Sequence, residues 1–370
     1  MKLRIAITRR DCVTYLDGIN RFIFNLSDGL AVLGHEVIII SYAHEPQFSG
    51  STSLKTKFDF ESNLPIYSLA DFSKAKNRPK IGLTWALNGS ELLRRLDVDA
   101  VIMNGIVPLR INSARFIVNH GLRHTTAFGA TRFIERLYSN IGRHLYKRYA
   151  DYHVCVSERL RREFKEFMGI DSICIHLPLK LRLFRHPSEV KRENLVVHIG
   201  TRPVKNVEVS IKAIQLLEKL GVNARLIVVG PRERYAENLA EKYRYLIPKR
   251  LSFLFGADTC TLRNLLSHAK VLLLPSKYET FSYSVLEAFA SGLPVVVSEA
   301  IPEEVVCDGY AGFRVQGFNP AQYALRLQIL LGDDSVWGRM SRNALKYAAN
   351  FSHVEIAKKY EKIIASALQN

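Results

Sequence analysis

The chain has 370 residues, 48% of them hydrophobic and 24% charged, the proportions of a globular protein with room for two ordinary domains and not of a disordered or collagen-like chain. A formal charge of +17 calls for an anionic partner: an anionic substrate, an anionic membrane face or nucleic acid. No helix-turn-helix, zinc-finger or RNP-like pattern accompanies the charge, so nucleic acid is not expected, and the five scattered cysteines (Cys12, Cys155, Cys174, Cys260, Cys307) lack C-x-x-C spacing and read as small buried hydrophobes.

The first strand is predicted over 3–7, with no signal-peptide pattern before it, and no later run reaches the roughly 18 apolar residues of a membrane span. A cytoplasmic protein is expected. An amphipathic helix over 19–33 follows, stopped by Gly34 and succeeded by a second strand at 37–40. Gly18, between that strand and helix, either brings a backbone N–H close to a phosphate or simply turns the chain. Further buried strands are predicted at 100–103, 116–118 and 153–156. Asp97-Val98-Asp99 has the D-x-D form of a metal site but stands at the start of a strand, the end opposite to where open α/β sheets bind ligands, so no metal is implied.

His120 ends the 116–118 strand, immediately before Gly121, where a neutral imidazole can hydrogen-bond hydroxyls; His124 is a weaker candidate. Cations thicken between Arg110 and Arg192. In 132–138 and 143–149 they interleave with aromatic and aliphatic residues, as in a helix lying on an anionic membrane or, alternatively, a core helix with a basic solvated face. Residues 177–187, with two prolines and clustered charge, read as the linker between two halves.

The second half repeats the alternation, with strands at 195–199, 224–229, 251–255, 271–274 and 293–297. The fold class is therefore α/β, two Rossmann-like doubly wound parallel sheets facing a cleft, with a last helix over 353–368. Gly200 and its followers Arg202 and Lys205 form a turn after the first of these strands. Glycine allows close backbone approach, and the two cations reach a diphosphate from one side. After 271–274 comes Pro275-Ser276, then Glu279, then a helix opening near Phe281. Its free amides, with the hydroxyls of Ser282 and Ser284, suit a diphosphate. Glu279 and Glu287 are separated by on the order of 10 Å at helical rise, the span from a donor sugar across its diphosphate to a ribose.

Taken together these motifs resemble the retaining GT-B glycosyltransferases of family 4 over nearly the whole chain. The resemblance is tightest from Val271 to Val297, in Pro275-Ser276, Glu279, Leu286-Glu287-Ala288 and Ser291-Gly292-Leu293-Pro294-Val295-Val296; Gly34-His35-Glu36-Val37 and Val156-Ser157-Glu158 match weaker features. It implies that Glu279 contacts the donor sugar, Glu287 the ribose, and Arg202 and Lys205 the diphosphate. Gly230, Phe255 and Gly256 would border the base, Phe281, Ser282, Tyr283 and Ser284 would line the donor pocket, and His120 would be the active-site histidine. It further implies an acceptor-binding domain at 1–180, a donor-binding domain at 181–350, and a helix at 351–370 that crosses back. The reaction implied is metal-independent, retaining transfer from a nucleotide sugar to a lipid-linked, glycan or polysaccharide acceptor, with no cofactor beyond the donor, whose base is left open. Peripheral association with an anionic membrane is compatible with it, and a nucleotide-sugar-binding protein or a GT-B-type epimerase are the alternatives. Four departures stand out: Asp17-Gly18 replaces Gly-Gly, Asn206 replaces a glycine after Lys205, Thr280-Phe281-Ser282 replaces Gly-Phe-Gly, and Pro178-Leu179-Lys180 replaces Pro-Asn-Gly before the linker.

Overall fold

A computed structural model describes residues 1–13, 17–43, 60–70, 81–121, 132–185 and 191–369. The chain forms two compact units, Met1–Leu179 with Ser352–Asn370, and Lys180–Phe351. His124 lies outside the described residues.

In the first unit, β1 (Arg4–Cys12), α1 (Gly18–Val32), β2 (Glu36–Ala43) and β3 (Ile66–Ser68) lead to α2 (Ile81–Thr84), a π-helical stretch Trp85–Gly89 and α3 (Ser90–Arg95). Then come β4 (Ala100–Asn104), β5 (Ala114–Asn119), α4 (Arg132–Tyr149), β6 (Tyr152–Cys155), α5 (Glu158–Met168) and β7 (Ile173–Cys174). The sheet order is β3-β2-β1-β4-β5-β6-β7, with every pairing parallel. Helices cover both faces of such a sheet, so its central strands read as continuous apolar runs; all five residues of β4 are buried.

The second unit holds β8 (Leu195–Ile199), α6 (Val207–Lys219), β9 (Arg225–Gly230), α7 (Arg234–Lys242), β10 (Leu251–Phe255), α8 (Thr259–His268), β11 (Val271–Leu274), α9 (Tyr283–Ala290), β12 (Val295–Ser298), β13 (Gly312–Val315), α10 (Pro320–Gly332) and α11 (Asp334–Ala348). Its parallel order is β10-β9-β8-β11-β12-β13. Each sheet reverses its direction of build once, at β1/β4 and at β8/β11. In open α/β sheets the crevice beyond the strands' carboxyl ends at such a reversal is where ligands bind.

The final helix, α12 (His353–Gln369), belongs to the first unit and packs along α1. Its buried stripe is Ile356, Ala357, Tyr360 and Ile364, whereas Leu368, farther along the helix, is exposed. Contact with α1 is close at Gly29, where a Cβ would stand 2.4 Å from the His353 carbonyl oxygen. His35 adds a polar tie. Its Nδ1 accepts from the Leu3 backbone N–H at 3.2 Å, so the proton sits on Nε2, which donates to Glu361 at 3.1 Å.

Three short strands have no counterpart in the sequence prediction: β3, β7 and β13. All three are at sheet edges and are only two to four residues long, too short to show a period. The helix expected near Phe281 begins at Tyr283. Cys12 and Cys155 are buried as expected, but Cys174 is only partly buried and Cys260 and Cys307 are exposed, because the last two fall on the outer turns of helical or turn segments and not in strands. Asp99 accepts from the Arg4 backbone N–H at 2.7 Å, a purely structural use at the strand-start end of the sheet.

Candidate active site

In the second unit the turn after β8 and the loop after β11 meet at the β8/β11 reversal. Lys277 N–H donates to the Val204 carbonyl at 2.8 Å, which locks the two segments together. Gly200 has φ 113°, and a Cβ there would lie 2.7 Å from Lys205 Cγ, so the lysine stem occupies the space that any other residue would fill. Lys205 Nζ donates to Glu279 Oε1, which also accepts from Ser276 Oγ at 3.0 Å. Ser276 is itself fixed through its carbonyl, which accepts from Ser298 Oγ at 2.5 Å. Both members of the Lys205–Glu279 pair are largely buried, with side-chain exposures of 15% and 13%. Such a pair is rigid, and breaking it from one side leaves a buried charge. Arg202, which opens the short 3-10 turn Pro203–Lys205, is exposed.

Two of the departures from the family pattern have a backbone reading. Asn206 has φ 58° and ψ 45°, a left-handed conformation that asparagine tolerates best after glycine. Ser282, at the entry to α9, has φ 116° and ψ 100°, territory of glycine, which the family commonly has there. Its Oγ is buried and meets no hydrogen-bond partner among the described residues. Phe281 is buried and packs edge-on against Phe351, ring centroids 5.7 Å apart. Tyr283 and Ser284 form the first turn of α9 and are partly buried, and Glu287 lies farther along it, 1% exposed.

Gly200, Gly230, Phe255 and Gly256 form a row along the carboxyl ends of β8, β9 and β10. Gly230 is in register with Phe255, and Gly256 N–H donates to its carbonyl at 3.1 Å. A Cβ on Gly230 would meet Thr201 Oγ1 at 2.8 Å. The Arg232 guanidinium lies 5.0 Å from the Phe255 ring centroid. Beneath the Lys205 turn, His198 is fully buried, its Nδ1 2.8 Å from Ser210 Oγ; burial, reinforced by the Lys205 cation, pushes its pKa down to about 3.

A second polar cluster lies at the β1/β4 reversal of the first unit. Arg9 on β1 and Asn104 on β4 are in register. Asn104 Nδ2 donates to the Thr8 carbonyl at 3.2 Å, and its Oδ1 is 2.8 Å from His120 Nε2, so the imidazole carries its proton on that nitrogen. His120 stacks edge-on against Phe22 at 4.8 Å. Burial, with the Arg9 cation adding to it, pushes its pKa down to about 3, so the ring is neutral at ordinary pH. Asp17 caps α1, accepting from the Asn20 N–H at 2.7 Å, and its other oxygen accepts from Arg9 at 2.9 Å. Gly18 is exposed as the first residue of that helix.

The sequence prediction included His120 and Gly18 here but missed Arg9 and Asn104. It ended the first strand at Ile7, whereas pairing with β2 and β4 carries the strand to Cys12 and brings Arg9 to the switch point. The one signal available was a strand run continuing into Thr8-Arg9.

Two family descriptions divide the chain. Residues 16–177 match Glycosyltransferase Family 4 and residues 182–350 match Glycosyl transferases group 1. The chain belongs to the family 4 glycosyltransferases. This family 4 chain is 32% identical over 182 residues to the D-inositol 3-phosphate glycosyltransferase of Corynebacterium efficiens, a stretch covering 47% of this chain and 43% of that one. It thus spans less than half the length of the curated relatives it matches. Among solved structures it resembles sucrose-phosphate synthase from Thermosynechococcus elongatus, with a TM-score of 0.79, 16% identity and full coverage of both chains. It also resembles the Anabaena protein HepE in complex with UDP and glucose, with a TM-score of 0.75 and 15% identity over 98% of this chain and all of the other. These likenesses show the GT-B fold.

Proposed function

We propose that this protein transfers a sugar from a nucleotide-sugar donor to a lipid-linked, glycan or polysaccharide acceptor, with retention of configuration and without a metal ion. The observation that carries the reading is the buried Lys205–Glu279 pair at the β8/β11 switch point, with the exposed Arg202 beside it. The second unit is the donor-binding half. Arg202 and Lys205 neutralise the diphosphate as it leaves, a role in which preorganised cations act in place of a divalent ion. Glu279, oriented by Lys205 and Ser276, receives sugar hydroxyls, and Glu287 the ribose hydroxyls. Gly230, Phe255 and Gly256 border the base; Phe281, Ser282, Tyr283 and Ser284 line the pocket.

The first unit is the acceptor-binding half, with Gly18 at a phosphate and neutral His120 as a hydrogen-bonding group for hydroxyls. Family analogy supports front-face substitution, in which the departing phosphate takes up the acceptor proton. The basic α4 face supports peripheral docking on an anionic membrane at its cytoplasmic side.

The test is a panel of UDP-, GDP-, ADP- and dTDP-sugars scored by thermal shift and nucleotide release, with and without EDTA, for wild type and Glu279→Ala. One donor class should raise the Tm and release nucleotide regardless of EDTA, and the variant should lose release by at least about 100-fold, as when one preorganised polar group is removed from an active site. Failure of every donor to bind sinks the reading. EDTA-sensitive release would replace the metal-free mechanism, and product formed from the nucleotide sugar alone would point to an epimerase.

A further inference from the structure

Arg9 is charged, lies at a switch point and is 8% exposed, which is costly for a guanidinium with five N–H donors unless acceptors surround it. Among the described residues it has one carboxylate partner, Asp17, through a single Nη2–Oδ2 bond of 2.9 Å, and its buried Nε meets no acceptor there. Asp17 cannot turn to serve a second donor without giving up the α1 cap, because its Oδ1 holds the Asn20 N–H. Asp17 therefore orients the guanidinium more than it saturates it. Its register partners are already engaged: Ser41 on β2 donates to the Ala43 carbonyl, and Asn104 on β4 is committed to Thr8 and to His120, which is neutral. A planar fork with its Nε edge unspent, in a polar cluster with a neutral histidine suited to hydroxyls, is matched to a tetrahedral oxyanion with a hydroxyl beside it.

We infer that Arg9 binds a phosphate group on the acceptor, held in aim by Asp17, so that the acceptor is a phosphorylated polyol or sugar and not a neutral glycan. This rests on the reading of the first unit as the acceptor-binding half. It narrows the acceptor to a chemical class and gives the Asp17-Gly18 departure a purpose, since the carboxylate there positions a cation that the family's glycine pair would not.

The test uses the full chain carrying Arg202→Ala and Lys205→Ala, which removes the cations assigned to the donor diphosphate. Arginine Nε–H resonances are followed by NMR during titration with inorganic phosphate, glycerol phosphate, glycerol and UDP, and Arg9 is assigned by the signal lost on adding Arg9→Lys. A saturable shift of the Arg9 Nε–H with phosphate and glycerol phosphate, absent with glycerol, is expected, with affinity for glycerol phosphate falling at least tenfold in Arg9→Gln. No shift, or an equal shift with glycerol, overturns the inference. A shift of comparable affinity with UDP also overturns it, by assigning Arg9 to the donor. The Arg9→Gln single variant should still be stabilised by the nucleotide sugar that stabilises wild type. With that response intact, a failed phosphate titration counts against Arg9 alone and leaves the donor-site reading standing.

Discussion

Ser282 carries a backbone conformation, φ 116° and ψ 100°, that side chains other than glycine rarely adopt, and a hydroxyl buried without a partner among the described residues. Each of these costs free energy, on the order of 1–3 kcal/mol for the backbone and about 1–3 kcal/mol for the hydroxyl. Replacement by glycine removes both, offset by about 0.5–1 kcal/mol of extra chain entropy in the unfolded state. Ser282→Gly is expected to raise the Tm by several degrees, measured by calorimetry; an unchanged or lowered Tm would mean that the serine is not strained. Asn206 at φ 58° is the contrasting case, since asparagine enters the left-handed region with little strain. Both positions could be read from the sequence as departures from a glycine. Their opposite energetic meaning came only from the dihedral angles.

At the scale of elements, α4 illustrates how a basic amphipathic segment is resolved by what it packs against. Tyr146 sits edge-on against Phe164 at 5.2 Å, and Gly142 rests on the Met168 side chain, so one side of the helix is core. The side chains described as exposed from 140 to 149 are Asn140, Ile141, His144, Lys147 and Arg148, among which Ile141 is the one large apolar group. Over these described residues the exposed side is mainly polar and cationic, so the membrane docking proposed above would be electrostatic there. Co-sedimentation with vesicles containing phosphatidylserine is expected at about 50 mM salt and should fall steeply by about 500 mM, as the screening length shrinks. Lys147→Glu with Arg148→Glu should abolish it at low salt. Binding that persists at high salt, or that is absent from the start, defeats the electrostatic docking proposal.

At the scale of the whole molecule, the buried imidazoles contribute a loss of stability in mild acid. His120 and His198 are held to about 3 and His153 to about 4, each chiefly by burial. Between those values and about 6.5 the unfolded chain binds protons that the folded chain refuses, so stability is full above about pH 6.5 and is lost as the pH falls toward 3. For a fully interior histidine the loss is about 1.4 kcal/mol per pH unit. His198→Gln should flatten the fall of Tm between pH 6.5 and 5, and an unchanged slope would show that His198 is not the group responsible. By itself the sequence determined the two α/β halves and nearly all the long strands, and it singled out a linker over 177–187 and the Gly200–Lys205 and Pro275–Glu287 segments as candidates. Those signals are local, written in apolar runs, turn residues and motif spacing. Only the tertiary structure decided that β1 runs on to Cys12, that Lys205 closes on Glu279, that α12 lies on α1 and that Arg9, Asn104, His120 and Asp17 form one polar cluster. These depend on strand order and register between segments tens of residues apart, and no local pattern encodes which strand ends will be neighbours.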